Sequence, residues 1–358
     1  MKHAKAKAPG KLYIAGEYAV VTPGHPAVII AVDRFISVSL SPSKEYFGKI
    51  FSSSISENTL IWKRQNQQII LEAPNKKADI ILKTLELTEH FLKEHNILLP
   101  YYDIYIKSDL DSVDGIKYGL GSSGAVTVAT IHALLKSVNL DSDNEKLFKL
   151  AAIVHVSLNK KGSLGDLAAA VYTGWLAYSS PDREWVKHQW NRMGLSSLID
   201  EAWPKLKIES IKAPKSVELL VGWTGHPAST DSFVTSLEGD KDIISYDRFL
   251  KDSTTCVSHL IKGIQSDSNK EIKKAINNNR LLLLQMSRSN NFILETPKLT
   301  ALNQIAKKHG AVAKSSGAGG GDCGIAFVDT RFQKEGIYKD WRANSIEPLS
   351  LNMYDKYN

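Results

Sequence analysis

The sequence has few cysteines and no long apolar run. Only Cys256 and Cys323 occur among 358 residues, which excludes a disulfide scaffold and predicts a reducing compartment. Neither has the neighbouring Cys or His of a structural zinc site. No apolar run approaches the ~18 residues of a membrane span, and the basic residues 1–11 are not followed by a signal-peptide apolar region. We expect a soluble, cytoplasmic protein.

Dense clusters of one charge are also lacking. Lys and Arg number 45 against 38 Asp and Glu, a formal net charge of +7, but the basic residues occur in pairs such as Lys160-Lys161. Such pairs are ordinarily solvated surface. Nucleic-acid binding would require clustered basic residues interleaved with aromatics, which are absent. The charge balance therefore favours phosphorylated small molecules as ligands, with no nucleic-acid or membrane partner.

Apolar residues make up 43% of the sequence, enough for a sizeable core, and the length predicts two domains. Strand and helix patterns alternate, which predicts an α/β fold. The predicted strands cover residues 2–8, 26–40, 101–107, 217–223, 311–314 and 324–328, and the predicted helices cover 79–95, 125–135, 144–158, 230–237, 243–266, 268–291 and 297–309. Residues 181–214 are predicted to be irregular, and we place a domain boundary near Pro214.

The first of three glycine-rich segments is Gly119-Leu120-Gly121-Ser122-Ser123-Gly124. It fits G-x-G-x-x-G, but a polar loop precedes it, whereas a dinucleotide fingerprint needs a strand there. The chain also lacks the catalytic-loop motifs of protein kinases and a P-loop. Glycines let backbone N–H groups approach an anion at the positive end of a helix, and the two serines can bind phosphate or ligate magnesium. The segment indicates a phosphate site, with tight helix packing as the alternative.

The second segment has five glycines within residues 317–324, between two short predicted strands. Ordering so many glycines costs conformational entropy. A loop whose backbone lies against a ligand explains them; a flexible linker is the alternative.

The third segment runs from Pro9 to Tyr18 and contains Lys11 directly after a Pro-Gly pair. We interpret the pair as a turn after a strand, which would direct Lys11 into a cleft. A compact ammonium suits a phosphoryl group in transfer. The alternative is an ordinary surface lysine.

These three segments, in this order, resemble the GHMP kinase superfamily. Within it, the likeness is greatest to the bacterial and fungal enzymes that phosphorylate 5-phosphomevalonate, and it extends to Gly162-Ser163-Leu164-Gly165-Asp166 and Val221-Gly222-Trp223-Thr224. The resemblance implies a two-domain α/β (α+β) fold with the active site between an ATP-binding N-terminal domain, residues 1–214, and a C-terminal domain, residues 215–358. It implies transfer of the ATP γ-phosphoryl group to (R)-5-phosphomevalonate, a step of isoprenoid synthesis, with ATP and Mg²⁺ required.

The resemblance also implies roles for individual residues. Lys11 and Asp166 would be catalytic, and Ser122 or Ser123 would hold magnesium. The ATP phosphates would lie on Gly119, Leu120, Gly121, Ser122, Ser123 and Gly124. The acceptor would contact Lys11, Tyr18, Lys161, Ser163, Ser315, Ser316, Gly317, Ala318 and Gly319. The Asn-Gly-Ser of related kinases is replaced here by Lys161-Gly162-Ser163, and a magnesium-binding glutamate found in some members has no clear match.

Several alternatives stay open at this stage. Asp166 could be a helix cap and Lys161 a surface lysine. Trp62, or a nearby residue of Ile61-Trp62-Lys63, could belong to the adenine pocket. Trp223 is expected in the core, and Cys323 as a buried thiol. The chain could instead be a mevalonate kinase, a diphosphomevalonate decarboxylase, or a ligand sensor without turnover. Monomer and homodimer are equally compatible with the sequence.

Overall fold

Two β-sheets of unequal size organise the chain. The computed structural model describes residues 1–52, 54–56, 58–66, 68–112, 114–226, 243–331 and 334–357. The strands in these ranges are β1 Ala4–Ala15, β2 Pro26–Pro42, β3 Gly48–Phe51, β4 Leu60–Gln65, β5 Gln68–Leu71, β6 Tyr102–Ser108, β7 Trp175–Ser179, β8 Lys207–Ile211, β9 Val217–Trp223, β10 Val312–Ser315, β11 Cys323–Asp329 and β12 Glu347–Leu349. The helices are α1 Asp79–Glu94, α2 Ser122–Ser137, α3 Asn144–Ser157, α4 Gly165–Tyr172, α5 Arg183–Trp190, α6 Leu195–Asp200, α7 Ile243–Gln265, α8 Asn269–Ser289, α9 Pro297–Lys308 and α10 Glu335–Ala343.

The larger sheet has the strand order β5-β4-β3-β6-β2-β7-β8, and β1 pairs antiparallel with β2. The central strand β2 is apolar and buried along most of its first half. Helix α2 packs on both β1 and β2, because small residues such as Ala125 and Ala129 let its backbone approach the sheet. This contact places the start of α2 beside β1.

The smaller sheet has the order β10-β11-β9-β12 and packs against α9 and α10. Its core includes the fully buried Trp341 and Leu302. The main apolar core continues from the larger sheet into this one, where the Trp175 and Phe327 ring centroids lie 6.4 Å apart. Beyond β12 the chain returns to the larger sheet, where Met353 bridges to Val32.

Most predicted elements are confirmed to within a few residues, but the Pro-Gly turn is wrong. Strand β1 runs through Pro9-Gly10, with a shift in register between the two residues. Proline fits such a bulge because it lacks an N–H for the ladder. A Cβ on Gly10 would lie 2.8 Å from Leu110 Cδ2 and 3.0 Å from the Leu120 carbonyl oxygen. The glycine therefore permits close packing of β1 on the Gly119–Gly124 segment.

The prediction that residues 181–214 are irregular is also wrong. They contain α5, α6 and β8, each too short for a clear periodic signal. Asp182 caps α5 by accepting a 2.9 Å hydrogen bond from the Trp185 N–H. Trp203 is buried and donates from Nε1 to the Leu198 carbonyl at 3.0 Å. The helix predicted at 230–237 lies outside the described residues. The boundary near Pro214, between β8 and β9, stays a prediction.

Candidate active site

All three glycine-containing segments border one cleft, whose cavity volume is about 330 Å³. Its walls come from β1, the segment before α2, the α3–α4 connection, and the loop between β10 and β11. Residues 11, 121, 166 and 317, widely separated in sequence, thereby face a common space. The arrangement suits a reaction between two ligands bound side by side.

The wall at the start of α2 is an anion-binding arrangement. Gly121 adopts the left-handed conformation, with φ 79°, and its conformation allows helix α2 to begin at Ser122. No side chain caps this end of the helix, and its first residues, Ser122 and Ser123, line the cleft. A Cβ on Gly119, which has φ 80°, would lie 2.3 Å from Asp322 Cγ. The loop therefore requires glycine at both positions, and its amides and the helix dipole favour a phosphate there.

Lys11 lies on β1 directly against this loop. Its backbone N–H donates to the Leu120 carbonyl at 2.8 Å, and its Nζ donates to the Gly119 carbonyl at 3.1 Å. The ammonium also lies 5.5 Å from the centroid of the Tyr13 ring. The strand thus directs a fixed positive charge to the phosphate loop, although the predicted turn is absent.

Asp166 lies in the first turn of α4, where Leu164 occupies the cap position with φ 64° and makes no side-chain cap hydrogen bond. Its carboxylate packs against the start of α2. A Cβ on Gly124 would lie 2.6 Å from Asp166 Oδ2, and one on Gly121 would lie 3.2 Å from Asp166 Cβ. The two glycines therefore make room for the carboxylate beside the phosphate loop.

Ser163 is fixed by two buried tyrosines. Its Oγ lies 2.5 Å from the Tyr13 hydroxyl, and the Tyr178 hydroxyl donates to its carbonyl at 2.6 Å. Burial raises the pKa of both phenols well above the ordinary tyrosine value. Both therefore stay neutral at physiological pH and hold the Ser163 segment as hydrogen-bonding groups.

The glycine-rich loop after β10 is fastened to β1 and the segment that follows it. The Ser316 hydroxyl accepts a 3.0 Å hydrogen bond from the Tyr13 N–H and donates to the Tyr13 carbonyl at 2.9 Å. The Tyr18 hydroxyl donates to the Ala318 carbonyl. Tyr18 and Ser316, both predicted to contact the acceptor, thus position the loop against the strand in this conformation.

A buried ion pair completes this attachment. Glu17 and Lys314, with 3% and 0% of their side chains exposed, form a salt bridge. Glu17 Oε1 also accepts a hydrogen bond from the Gly317 N–H at 3.3 Å. Groups from the N-terminal segment therefore hold the loop backbone at Gly317 and Ala318 against the cleft.

His155 contributes to the cleft from α3 and was not predicted. Its imidazole is 4% exposed and its Nε2 lies 3.2 Å from Thr127 Oγ1. Burial lowers the pKa of His155 to about 4, with nearby Asp166 opposing the shift and Lys160 adding to it. The ring is therefore neutral at pH 7 and contributes no positive charge to the cleft.

The structure brings together most of the predicted site residues. Those that line the cleft are Lys11, Tyr18, Gly119, Gly121, Ser122, Ser123, Ser163, Asp166, Ser316, Gly317 and Ala318. Those outside the lining are Leu120, Gly124, Lys161, Ser315 and Gly319. Leu120 and Ser315 are buried, so their side chains are not open to a ligand. The predicted ligand contacts of the others stay predictions.

Sequence reasoning missed other lining residues, which include Tyr13, Glu17, Lys117, His155, Lys160 and Asp322. Tyr13 is two residues from Lys11 on β1, so strand alternation could have shown that the two share a face. Glu17 lies beyond the end of the strand, where no such pattern applies. Of the adjacent lysines, only Lys161 was predicted to contact a ligand, and Lys160 was not. His155 carries no signal, because a lone histidine in an apolar helix is ordinarily a core residue.

Two aromatic predictions can also be judged. Trp62 is fully buried, with ring centroids of Tyr101 and Tyr102 at 5.4 and 4.9 Å. The Trp62 ring is therefore unavailable to stack on adenine, and this part of the suggestion is wrong. A role for Ile61 or Lys63 stays a prediction. Trp223 lies in the core, as predicted.

Within the described ranges, no group of three or more His, Cys, Asp or Glu side chains could hold a metal ion. In the same ranges, no helix combines the length and apolar character needed to cross a membrane. Both cysteines are free and buried, as expected for Cys323.

Comparison with known proteins agrees with the geometry. The family model for the GHMP kinases N terminal domain matches residues 79–174, and that for the GHMP kinases C terminal domain matches residues 260–347. A phosphomevalonate kinase of Streptomyces sp. (strain CL190) is 36% identical over 357 residues, which cover 96% of this chain and 95% of that protein.

Two solved structures are similar over nearly their whole length. The Lin0012 protein from Listeria innocua superposes with a TM-score of 0.91 at 34% identity, covering 99% of this chain and 98% of that one. Streptococcus pneumoniae phosphomevalonate kinase in complex with phosphomevalonate and AMPPNP superposes with a TM-score of 0.86 at 29% identity, covering 98% and 99%. The cleft, its loops and these matches establish that the chain belongs to the GHMP kinase family.

Proposed function

We propose that this protein is a phosphomevalonate kinase of the cytoplasmic mevalonate pathway, a route to isopentenyl diphosphate. It transfers the γ-phosphoryl group of ATP to (R)-5-phosphomevalonate and yields (R)-5-diphosphomevalonate and ADP. The observation that carries the proposal is the meeting of Lys11, the Gly119–Gly124 loop and the Ser316–Ala318 loop around one cleft. The full-length similarity to phosphomevalonate kinases supports this choice of acceptor.

The chemistry of this acceptor sets what the protein must supply. The second pKa of a phosphomonoester is about 6, so the attacking oxygen is already anionic at pH 7. A general base is therefore unnecessary, and the main barrier is repulsion between two polyanions. Positive groups and exact placement must overcome it. Lys11, Lys117 and Lys160 all line the cleft, which supplies charge of the required sign.

Different residues bind the donor, ATP, and the acceptor, 5-phosphomevalonate. The amides at the start of α2 hold the ATP phosphates, and Lys11, fixed on the Gly119 carbonyl, stabilises the phosphoryl group as it moves. Asp166 orients Lys11 or a metal-bound water. The loop at Gly317 and Ala318 closes the acceptor side, together with Ser163.

The side-chain oxygen atoms beside the Gly119–Gly124 loop are also suitable ligands for Mg²⁺. In kinases this ion is usually held by one or two carboxylates together with substrate phosphates and waters, and Asp166 packs against the turn that carries Ser122 and Ser123. Ser122 or Ser123, with Asp166, would hold it. When bound, the ion neutralises phosphate charge.

A coupled assay of ADP release tests the proposal with Mg-ATP and three separate acceptors: mevalonate, 5-phosphomevalonate and 5-diphosphomevalonate. We expect turnover with 5-phosphomevalonate only, and its loss in Lys11→Ala. ADP release with mevalonate would identify a mevalonate kinase instead. Carbon dioxide from the diphosphate would identify a decarboxylase, and ATP binding without turnover would favour a sensor.

A further inference from the structure

We propose that Lys160, on the connection between α3 and α4, binds the phosphate chain of ATP. The inference deepens the proposed function, because it adds a residue to the ATP site described above. It differs from the sequence-based expectation, in which the neighbouring Lys161 binds the acceptor phosphate.

Lys160 is held by its backbone and directed to the phosphate loop by its side chain. After α3 the chain turns at Asn159, which has φ 52°, and the Lys160 N–H donates to the His155 carbonyl at 3.2 Å. The Lys160 Nζ then donates to Ser123 Oγ at 3.1 Å. Ser123 belongs to the uncapped first turn of α2, so the ammonium lies at the place where an anion is expected.

The ammonium of Lys160 lies near the Asp166 carboxylate, which also packs against the start of α2, but is not paired with it. Among the residues that the structure describes, Lys160 forms no salt bridge with a carboxylate, and its side-chain hydrogen bond goes to a neutral hydroxyl. The N-terminus of α2 carries the positive end of the helix dipole. An ammonium and a helix N-terminus have charge of the same sign, so together they attract a phosphate more strongly than either does alone.

Other lysines of the cleft show the same lack of an acidic partner. Lys11 donates to a backbone carbonyl, and neither it nor Lys117 forms a salt bridge within the described ranges. The buried Lys314, by contrast, is paired with Glu17. Lys160 therefore belongs with the lysines that are available to a polyanionic ligand. It reaches the α2 end of the loop, whereas Lys11 reaches Gly119.

Calorimetric titration with AMPPNP, in the absence of any acceptor, measures this role directly. We expect the Kd of Lys160→Ala to rise roughly tenfold to a hundredfold, the range for losing a hydrogen bond to a charged group. Lys160→Arg keeps the charge and should stay within a few-fold of the parent protein. The matched control is Lys207→Ala, because Lys207 is exposed on the edge strand β8 and does not line the cleft.

Steady-state kinetics separates donor from acceptor. We expect the KM for ATP to rise in Lys160→Ala while the KM for 5-phosphomevalonate changes less than about threefold. An unchanged AMPPNP affinity, or a rise confined to the acceptor KM, would overturn the inference. Lys160→Gln serves as a second variant if the alanine protein fails to fold, which circular dichroism checks.

Failure of the proposed function would give a different pattern. In that case the parent protein would not turn over 5-phosphomevalonate, yet AMPPNP would still bind more weakly to Lys160→Ala than to Lys207→Ala. A different result would refute the role of Lys160 and leave the proposed function intact. In it, the parent protein turns over 5-phosphomevalonate, and Lys160→Ala and Lys207→Ala bind AMPPNP with equal affinity.

Discussion

Replacing Glu17 by alanine should destabilise this protein far more than a surface charge deletion does. Glu17 is 3% exposed and its partner Lys314 is fully buried. The substitution leaves the Lys314 ammonium without its carboxylate and also removes the acceptor of the Gly317 N–H. A buried charge without a partner cannot recover its lost hydration.

The expected loss follows from this burial. Breaking one side of a buried pair costs about 3–5 kcal/mol of unfolding free energy. The surface pair Lys63–Glu72, with side chains 46% and 47% exposed, provides the matched control. Its loss in Glu72→Ala should cost about 0–1 kcal/mol. Combining Glu17→Ala with Lys314→Met removes the stranded charge, so the double variant should be more stable than the single one.

Urea unfolding followed by tryptophan fluorescence and far-UV circular dichroism measures these differences through the midpoint and the slope. Coincident curves from the two probes would justify a two-state treatment of each variant. The reasoning is refuted if Glu17→Ala loses no more stability than Glu72→Ala. It is also refuted if adding Lys314→Met increases the loss.

Three further predictions concern single residues. Gly124→Ala should lower turnover roughly tenfold to a hundredfold, because the new Cβ would displace the Asp166 carboxylate, whose Oδ2 would lie only 2.6 Å away. His155, whose pKa is lowered to about 4, should make the protein less stable as pH falls from about 6.5 towards 4, by roughly 3 kcal/mol in total. The unfolded chain binds the proton first, and the comparison of His155→Gln with the parent at pH 7 and pH 5 isolates this contribution. Cys256 and Cys323 should both resist a thiol reagent at pH 8, because burial raises the pKa of Cys256 to about 11 and that of Cys323 further.

Each of these predictions has a contrary outcome. Normal turnover in Gly124→Ala would show that the carboxylate position is unimportant. An identical loss of stability at low pH in His155→Gln and the parent would exclude the histidine as its source. Rapid reaction of the native protein with the thiol reagent, before unfolding exposes both thiols, would contradict the burial of the cysteines.

The repeated period of apolar residues made the main elements predictable. Helices such as α1 and α8 bury one face only, and the first half of β2 is a continuous apolar run, so local pattern and final environment agree. The short elements α5, α6 and β8 could not be found in this way. Their formation depends on packing, as with Trp203, which is buried beside α6.

The ordered glycine motifs also made much of the site predictable from the sequence. Gly119, Gly121 and Gly124 stand where any side chain would strain the backbone or collide with Asp166 or Asp322. Backbone requirements of this kind leave a residue identity in the sequence, and the family resemblance assembled from them is confirmed. The roles assigned to individual side chains stay predictions.

The amino-acid sequence by itself therefore determined the fold class, the family and the segments that border the cleft, because each depends on local periodicity or on positions that only glycine tolerates. Tertiary structure decided which side chains meet there. The contact of Lys160 with Ser123, the Glu17–Lys314 pair and the neutral His155 all depend on burial and on contacts between residues far apart in the chain. Such contacts leave no local pattern in the sequence. Glu17 and Lys314 are 297 residues apart, and their pairing does not constrain the residues that flank either of them.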